Sequence, residues 1–374
     1  MPLVPQAGGT ERITSLVAKG LTKLGHNCLG ILELRETSSD ITYCGEKIKN
    51  LSQFLFDNKI DIVINQIAYS TWLLKAFLQN GGDVWRSRGG RIISCLHFDP
   101  KPASFFHYLK NKRDKCPIDY ISIIKSLVMY PYYQAKSYRE AGDTFNWLYD
   151  NSDFFVTLSP SHFHFFKNVT RRDEYSKLRA INNPLTFDDI STVDILSEKE
   201  HIILVCSRMD EYQKRVSLAL KAWKKIQNKQ VAKKWRIVFV GIGANLEDYK
   251  KYARDNKLQR ISFEGLQNPE PYYRKSDILL MTSCGIEGWG LTLTESLQRG
   301  VVPVVMNTAP VYGDIIIHCY NGFLSERSRL GSFINYIETL MEDERRLRAM
   351  QLNALASSKR FTLDSTMRKW QELI

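Results

Sequence analysis

No stretch of this 374-residue chain stays apolar for the roughly 20 residues that a helix needs to cross a bilayer, so a helical membrane-spanning fold is excluded. The opening MPLVPQAGGTERI has no cationic stretch followed by an apolar core, and a secretory signal is not expected there. Cysteine pairs are missing too. The seven cysteines are an odd, scattered set without C-x-x-C spacing, read as reduced thiols in a cytoplasmic protein, mostly small apolar fillers. Sequence repeats and low-complexity tracts are absent. Acidic residues are outnumbered, 40 against 52 basic ones, for a net charge of +12. Zinc-finger spacing, an aromatic RNA-binding signature and a concentrated basic arm are all lacking, so nucleic acid is not the expected partner. The charge then fits an anionic membrane surface, or solubility joined to affinity for phosphorylated substrates.

What is present is a globular composition, 44% hydrophobic and 25% charged, in a chain long enough for two domains. The apolar spacing after Gly8-Gly9 predicts an amphipathic helix over 8–25 with Thr10 as N-cap. Only residues 1–6 precede that turn, so the first strand is expected to be short or missing. Strands are predicted at 28–34, 60–65, 91–96, 154–158 and 178–181, with a helix over 48–58. The stretch 104–149 interleaves aromatics with Lys and Arg. That composition suits a headgroup-level surface, a polyprenyl-linked acceptor, or a helical excursion with a solvated basic face. Residues 187–200 are polar and aperiodic and read as a linker. Strands follow at 201–206, 235–240, 261–263, 277–282 and 301–305, with helices over 216–226, 291–299 and 330–341. The last run, 363–374, carries one apolar stripe. Alternating strands and helices predict parallel sheets with ligand residues gathered at strand carboxyl ends. The domain bounds drawn from this pattern are 1–190, 191–358 and a returning helix over 359–374.

The chain is organised around SCGIEGWGLTLTESLQRGVVPVV, residues 283–305. Glu287 and Glu295 are seven residues apart, with Gly288-Trp289-Gly290 between them and a helix opening at Leu291. A helix that starts from a glycine turn aims backbone N–H groups and a positive dipole end at whatever lies above it, a ready anion site. Two carboxylates at different heights around that site suit a molecule with a diphosphate in the middle and hydroxyls at both ends. On spacing alone, an ordinary loop–helix–strand unit with solvated glutamates is an equal reading. Arg208 and Lys214 lie just past the 201–206 strand and before a helix start, where two cations could grip a diphosphate. His97 sits just past the 91–96 strand.

The wording EGWGLTLTES resembles the Glu-x7-Glu signature of the retaining glycosyltransferases of family 4, and SRMDEYQKRV resembles that family's Arg…Lys pair. GGTERI and the position of His97 are similar as well. The resemblance is strong over about 200–325 and poor over 101–150. It implies an α/β protein of GT-B fold, two Rossmann-like α/β/α domains facing across a cleft, with the C-terminal helix packing back on the N-terminal domain. It further implies a metal-independent hexosyl transfer from a nucleotide-diphosphate donor to a hydroxyl of a glycan or polyprenyl-linked acceptor, as in polysaccharide biosynthesis. Arg208 and Lys214, with the backbone of Gly290, Leu291 and Thr292 and the Gly8-Gly9 turn, would hold the diphosphate. Glu295 would bind the ribose, Glu287 and His97 would serve the transferred sugar, and Glu264, Gly265 and Leu266 would lie by the base. No D-x-D triplet occurs in the chain, so neither a metal nor another cofactor is expected. The protein is expected in the cytoplasm with a peripheral contact at the inner face of the membrane. The rival readings are a nucleotide-sugar epimerase and a non-catalytic sugar- or polyanion-binding protein.

Overall fold

The computed structural model describes residues 9–33, 41–44, 46–101, 120–189, 191–285, 287–326 and 329–374. They fall into two compact units, one holding the described residues through Pro184 together with Leu363–Ile374, the other Leu185–Thr362. Gly8 and the expected shortening of the first strand lie outside the described residues. So does the basic run 110–115.

In the first unit the helix Gly9–Lys23 buries Ile13, Val17 and Leu21 on one stripe. Thr10 lies inside its first turn and not at the cap, its carbonyl taking a bond from the Thr14 hydroxyl at 2.8 Å. Strand β1 (Ile31–Glu33) departs from expectation. It pairs antiparallel with β2 (Ile41–Tyr43), which pairs in turn with β3 (Glu46–Lys47). Antiparallel neighbours can be joined by a short connection, whereas parallel ones need a crossover of a dozen or more residues. The apolar segment around Ile31 therefore finds its partner in the nearest strand and not in the main sheet. That main sheet is parallel and runs in chain order: β4 (Ile62–Asn65), β5 (Arg91–Leu96), β6 (Phe154–Thr157) and β7 (Leu178–Ala180). Phe155 and Phe166, both fully buried, meet at 4.7 Å between ring centres behind it.

The 31-residue helix Tyr120–Asp150 contains Pro131. Its last turns bury Phe145, Leu148 and Tyr149, while Tyr132 and Tyr133 stay exposed beside Lys136 and Arg139. The C-terminal helix Leu363–Gln371 packs within this unit through Thr366, Met367 and Trp370. Asn182 donates to the Thr366 hydroxyl at 3.1 Å, and Lys369 donates to the Asn182 side-chain oxygen at 2.6 Å. Gly20 permits the approach, because a Cβ there would come within 2.4 Å of the Met367 sulfur.

The second unit is one six-stranded parallel sheet: β8 (Ile202–Cys206), β9 (Arg236–Val240), β10 (Ile261–Gly265), β11 (Ser276–Met281), β12 (Val302–Met306) and β13 (Phe323–Ser325). Its spatial order is β10-β9-β8-β11-β12-β13. β11 and β12 are buried along their whole length, as central parallel strands are, β11 being apolar from Ile278 onward after the buried Ser276 and Asp277. Trp223, Trp235, Phe239 and Phe333 fill the core beside them. The order reverses between β8 and β11, and that switch point is where open parallel sheets leave a crevice for ligands.

The stretch 187–200, expected as a free linker, is built into this unit. Ile195 and Leu196 are buried in a short turn, Val193–Glu198. Gln298 donates to the carbonyls of Phe187 and Asp189 at 2.8 and 2.7 Å. Arg299, wholly buried, bonds Ser191, Asp189 and Glu270. Among the described residues no helix is long and apolar enough to cross a membrane.

Candidate active site

The loop leaving β8 and the loop leaving β11 flank the switch point, and the chain laces them together. Arg215 adopts a left-handed φ of 47°. Its guanidinium donates to the carbonyls of Thr282 and Ser283, each at 2.9 Å. The Thr282 hydroxyl donates back to the Lys214 carbonyl at 2.8 Å, and the Cys284 amide to the Gln213 carbonyl at 2.8 Å. These bonds bring Lys214 against Glu287, and the two form an ion pair. Both side chains are largely buried, 20% and 12% exposed, so the pair is little screened by solvent. Arg208 is on the same loop but faces outward. It donates to Gln213 at 2.6 Å and lies 3.6 Å from Asp210.

The helix start beside these cations is already taken. Glu211 accepts from the Ser217 amide at 3.1 Å and the Ser217 hydroxyl at 2.8 Å, capping the helix Ser217–Ile226, and from Tyr249 at 2.9 Å. Glu211 thus fills that helix start, and Arg208 and Lys214 lie on the loop before it. The other helix start, Leu291, is the one left next to the ion pair. Gly290 precedes it with φ +94°, a left-handed conformation that costs other residues about 1–2 kcal/mol. Trp289 is buried against Phe361, ring centres 5.5 Å apart, which anchors the turn.

Glu295, one turn into the helix Leu291–Gln298, is only 3% exposed. It accepts from the Thr186 hydroxyl at 2.8 Å and lies beside the phenol of Tyr273, which burial first, and the nearby Cys206 and Glu295 next, hold well above its ordinary pKa. Glu264 and Gly265 end β10, and Leu266 follows it, 74% exposed; Ile242 projects from the loop after β9. The Glu264 carboxylate neighbours Tyr272.

In the first unit His97 follows β5, with Nε2 at 2.5 Å from Oε1 of Gln66. Burial pushes the imidazole down to about 4, so the ring is neutral near pH 7. A neutral ring donating to Gln66 keeps Nδ1 as an acceptor. Asp99, two residues on, is pushed up to about 6 by burial, partly offset by the Lys101 amide at 2.9 Å. Tyr69 and Phe98 meet edge to face at 5.1 Å on the same strand ends, both exposed. Gly9 opens the first helix.

Sequence reasoning missed Arg215, Glu211 and Thr186. Arg215 sits next to Lys214 in a run of charges, and nothing local marks its left-handed backbone. Thr186 directly follows the Asn183-Pro184-Leu185 step and could have been flagged only by knowing where Glu295 would lie.

Residues 187–356 match the model of the family described as glycosyl transferases group 1. An uncharacterized glycosyltransferase of Haemophilus influenzae is 21% identical over 156 residues, 41% of this chain and 44% of that protein. The chain thus spans under half the length of this relative. A Campylobacter jejuni enzyme, an alpha-1,4-N-acetyl-D-galactosaminyltransferase named for an undecaprenol diphosphate-linked acceptor, is 22% identical over 98% of this chain and 95% of its own length. Among solved structures, that of Anabaena Alr3699/HepE in complex with UDP and glucose covers 99% of this chain and 96% of its own, with a TM-score of 0.65 at 17% identity. The architecture is GT-B.

Proposed function

We propose that the protein is a retaining, metal-independent glycosyltransferase that moves a hexosyl group from a nucleoside diphosphate to a hydroxyl of a glycan or polyprenyl-linked acceptor. The observation that carries this reading is the Lys214–Glu287 ion pair beside the glycine-started helix at Leu291, at the switch point of the sheet. A diphosphate above that helix start would draw Lys214 and Arg208 to itself. Both cations and the first helix amides would then stabilise the negative charge that grows on the leaving phosphate as the sugar–oxygen bond breaks. Glu287, released from Lys214, would face the sugar. Glu295 would hold the ribose, Glu264, Gly265 and Leu266 would border the base, and Gly9 would belong to the diphosphate contacts. His97, neutral and with Nδ1 left to accept, is assigned to sugar recognition. UDP is the first donor nucleotide to try, since the Anabaena relative is described with it.

The test is the fate of UDP-glucose and UDP-N-acetylhexosamines in excess EDTA. UDP should be released at an undiminished rate, and proton NMR of the early product should show the α configuration of the donor kept. Loss of turnover that Mg²⁺ or Mn²⁺ restores would remove the metal-independent part, and a β product the retaining part. Release of UDP with an epimerised sugar would favour the epimerase instead.

The first unit is further proposed to touch an anionic membrane through the helix Tyr120–Asp150, where exposed Tyr132 and Tyr133 stand beside Lys136 and Arg139. Pelleting with anionic liposomes should weaken as salt rises, because exposed charges are screened beyond about 8 Å at physiological ionic strength. Equal pelleting with neutral vesicles would leave the charge to solubility alone.

A further inference from the structure

In the first unit the turns that follow the parallel strands β4 and β5 are tied to each other at the carboxyl end of the sheet. Asn65 closes the first turn, its side-chain oxygen accepting from the Ile67 amide at 3.0 Å. The Ala68 amide donates to the Cys95 carbonyl at 3.2 Å, and Ala68 itself is wholly buried. The next residue, Tyr69, is thereby held edge to face against Phe98, ring centres 5.1 Å apart. Both rings stay out of the core, Tyr69 being 52% exposed and Phe98 46%. One exposed aromatic is ordinary, but two fixed together on a strand end form an apolar patch that asks for a partner. Polar groups stand beside them in the chain. Asp99 accepts from the Lys101 amide at 2.9 Å, and one amide does not saturate a carboxylate. Burial pushes its pKa up to about 6, so near pH 7 it is still mostly an anion. His97 is neutral there and keeps Nδ1 as an acceptor.

We propose that Tyr69 and Phe98, with Asp99, seat a sugar ring of the acceptor, so that this unit takes the neutral sugar end of a glycan and not a prenyl phosphate. The proposal rests on the transferase reading above and names the acceptor class that reading leaves open. Aromatic surface with a few polar groups beside it is the usual make-up of a small-molecule site, and parallel sheets hold their ligands at the carboxyl ends of the strands. The chemistry of the polar groups selects the occupant. A lipid phosphate would bring negative charge to the Asp99 carboxylate. A prenyl chain would cover the rings and leave that carboxylate without a donor. A sugar ring answers to both: its C–H face lies against the electron-rich face of an aromatic ring, and its hydroxyls donate to Asp99. His97, assigned above to the transferred sugar, precedes Phe98 directly, so the seat adjoins it on one strand end.

The experiment is saturation-transfer NMR on the full chain with UDP present. The probes are methyl α-glucoside, methyl α-galactoside and methyl α-N-acetylgalactosaminide, with farnesyl phosphate as the prenyl arm. At least one glycoside should receive saturation, strongest on the C–H protons of one ring face. Its affinity should fall about fivefold or more in the double variant Tyr69→Leu, Phe98→Leu, which keeps an apolar surface and removes both rings. Asp99→Asn should weaken it by a smaller factor, since the amide oxygen still accepts. Thermal unfolding of the double variant and its UDP affinity by calorimetry should match wild type, because both replaced rings are exposed. A glycoside bound equally by wild type and the double variant would overturn the proposal. So would the absence of ring-proton signals from every glycoside, whether or not farnesyl phosphate binds. Failure of the wild-type protein to bind UDP would count against the transferase reading instead, while the glycoside signals judge the seat by themselves.

Discussion

Glu287→Gln is expected to lower kcat by tenfold or more while UDP binds as tightly as before, or tighter. Each tenfold loss corresponds to about 1.4 kcal/mol of transition-state stabilisation. The substitution keeps the size of the side chain and its ability to hydrogen-bond, and removes only the negative charge. In the proposed site that charge matters most as positive character develops on the sugar carbon, so the loss falls on the chemical step. The ion pair adds an expectation about binding. Lys214 is paired with Glu287, and a diphosphate would have to compete for it. With a neutral glutamine at 287 the cation is available from the outset, so UDP affinity should hold or rise while kcat falls. Calorimetry with UDP and initial rates with UDP-glucose separate the two quantities. A variant that turns over like wild type refutes the role given to Glu287. A variant that loses UDP affinity in step with rate shows instead that the pair merely holds the loop together.

Glu295→Ala is expected to fail in the opposite way. If the carboxylate grips the ribose, it contributes equally to the ground state and the transition state, and its loss raises KM with kcat nearly kept. A tenfold weaker affinity for UDP, about 1.4 kcal/mol, is the minimum expected. A stability cost comes with it. Glu295 is buried, accepts from Thr186 and lies beside the Tyr273 phenol. Alanine leaves those groups with fewer partners, a loss on the order of 1–3 kcal/mol. For a unit of this size each kcal/mol lowers the melting temperature by roughly 2–4 °C. Glu295→Gln is the control, since its amide oxygen can still accept from Thr186: it should restore much of the melting temperature and less of the affinity. Titrating UDP, GDP, ADP and TDP in parallel identifies the base. Unchanged UDP binding by the folded alanine variant removes Glu295 from the ribose site.

Most of the second unit was legible along the chain, because its strands centre on short apolar runs and the helix at Leu291 lies between Gly290 and Gly300. β5 and β8 fall within a residue of where their patterns place them, and the helix at Leu291 begins where Gly290 permits it. The terminal stripe at Met367 and Trp370 was equally plain, and those side chains are buried. These are local matters, settled by the alternation of side chains and by backbone conformations that only certain residues accept. The segment 31–43 was less legible, since an apolar run shows that a strand exists and not which partner it takes. The stretch 187–200 misled for a related reason. Its polar look conceals the backbone carbonyls that Gln298 and Arg299 hold, and a carbonyl looks the same in every sequence.

The sequence by itself determined the alternation of strands and helices, the glycine turn at 288–290, and the supply of carboxylates and cations that a phosphorylated sugar would need. Tertiary structure alone decided their partners. It set the strand order that places the β8 and β11 ends side by side. It turned Arg215 into the clamp that brings Lys214 to Glu287 across 73 residues of chain. It gave one helix start to Glu211 and left the other beside the ion pair. It also buried Arg299 among Asp189, Ser191 and Glu270, a cation that the sequence shows only as the end of a helix. The physical reason is range: side-chain period and glycine conformation act over a few residues, whereas a charge acquires its partner only when separate loops are carried to the same end of a sheet.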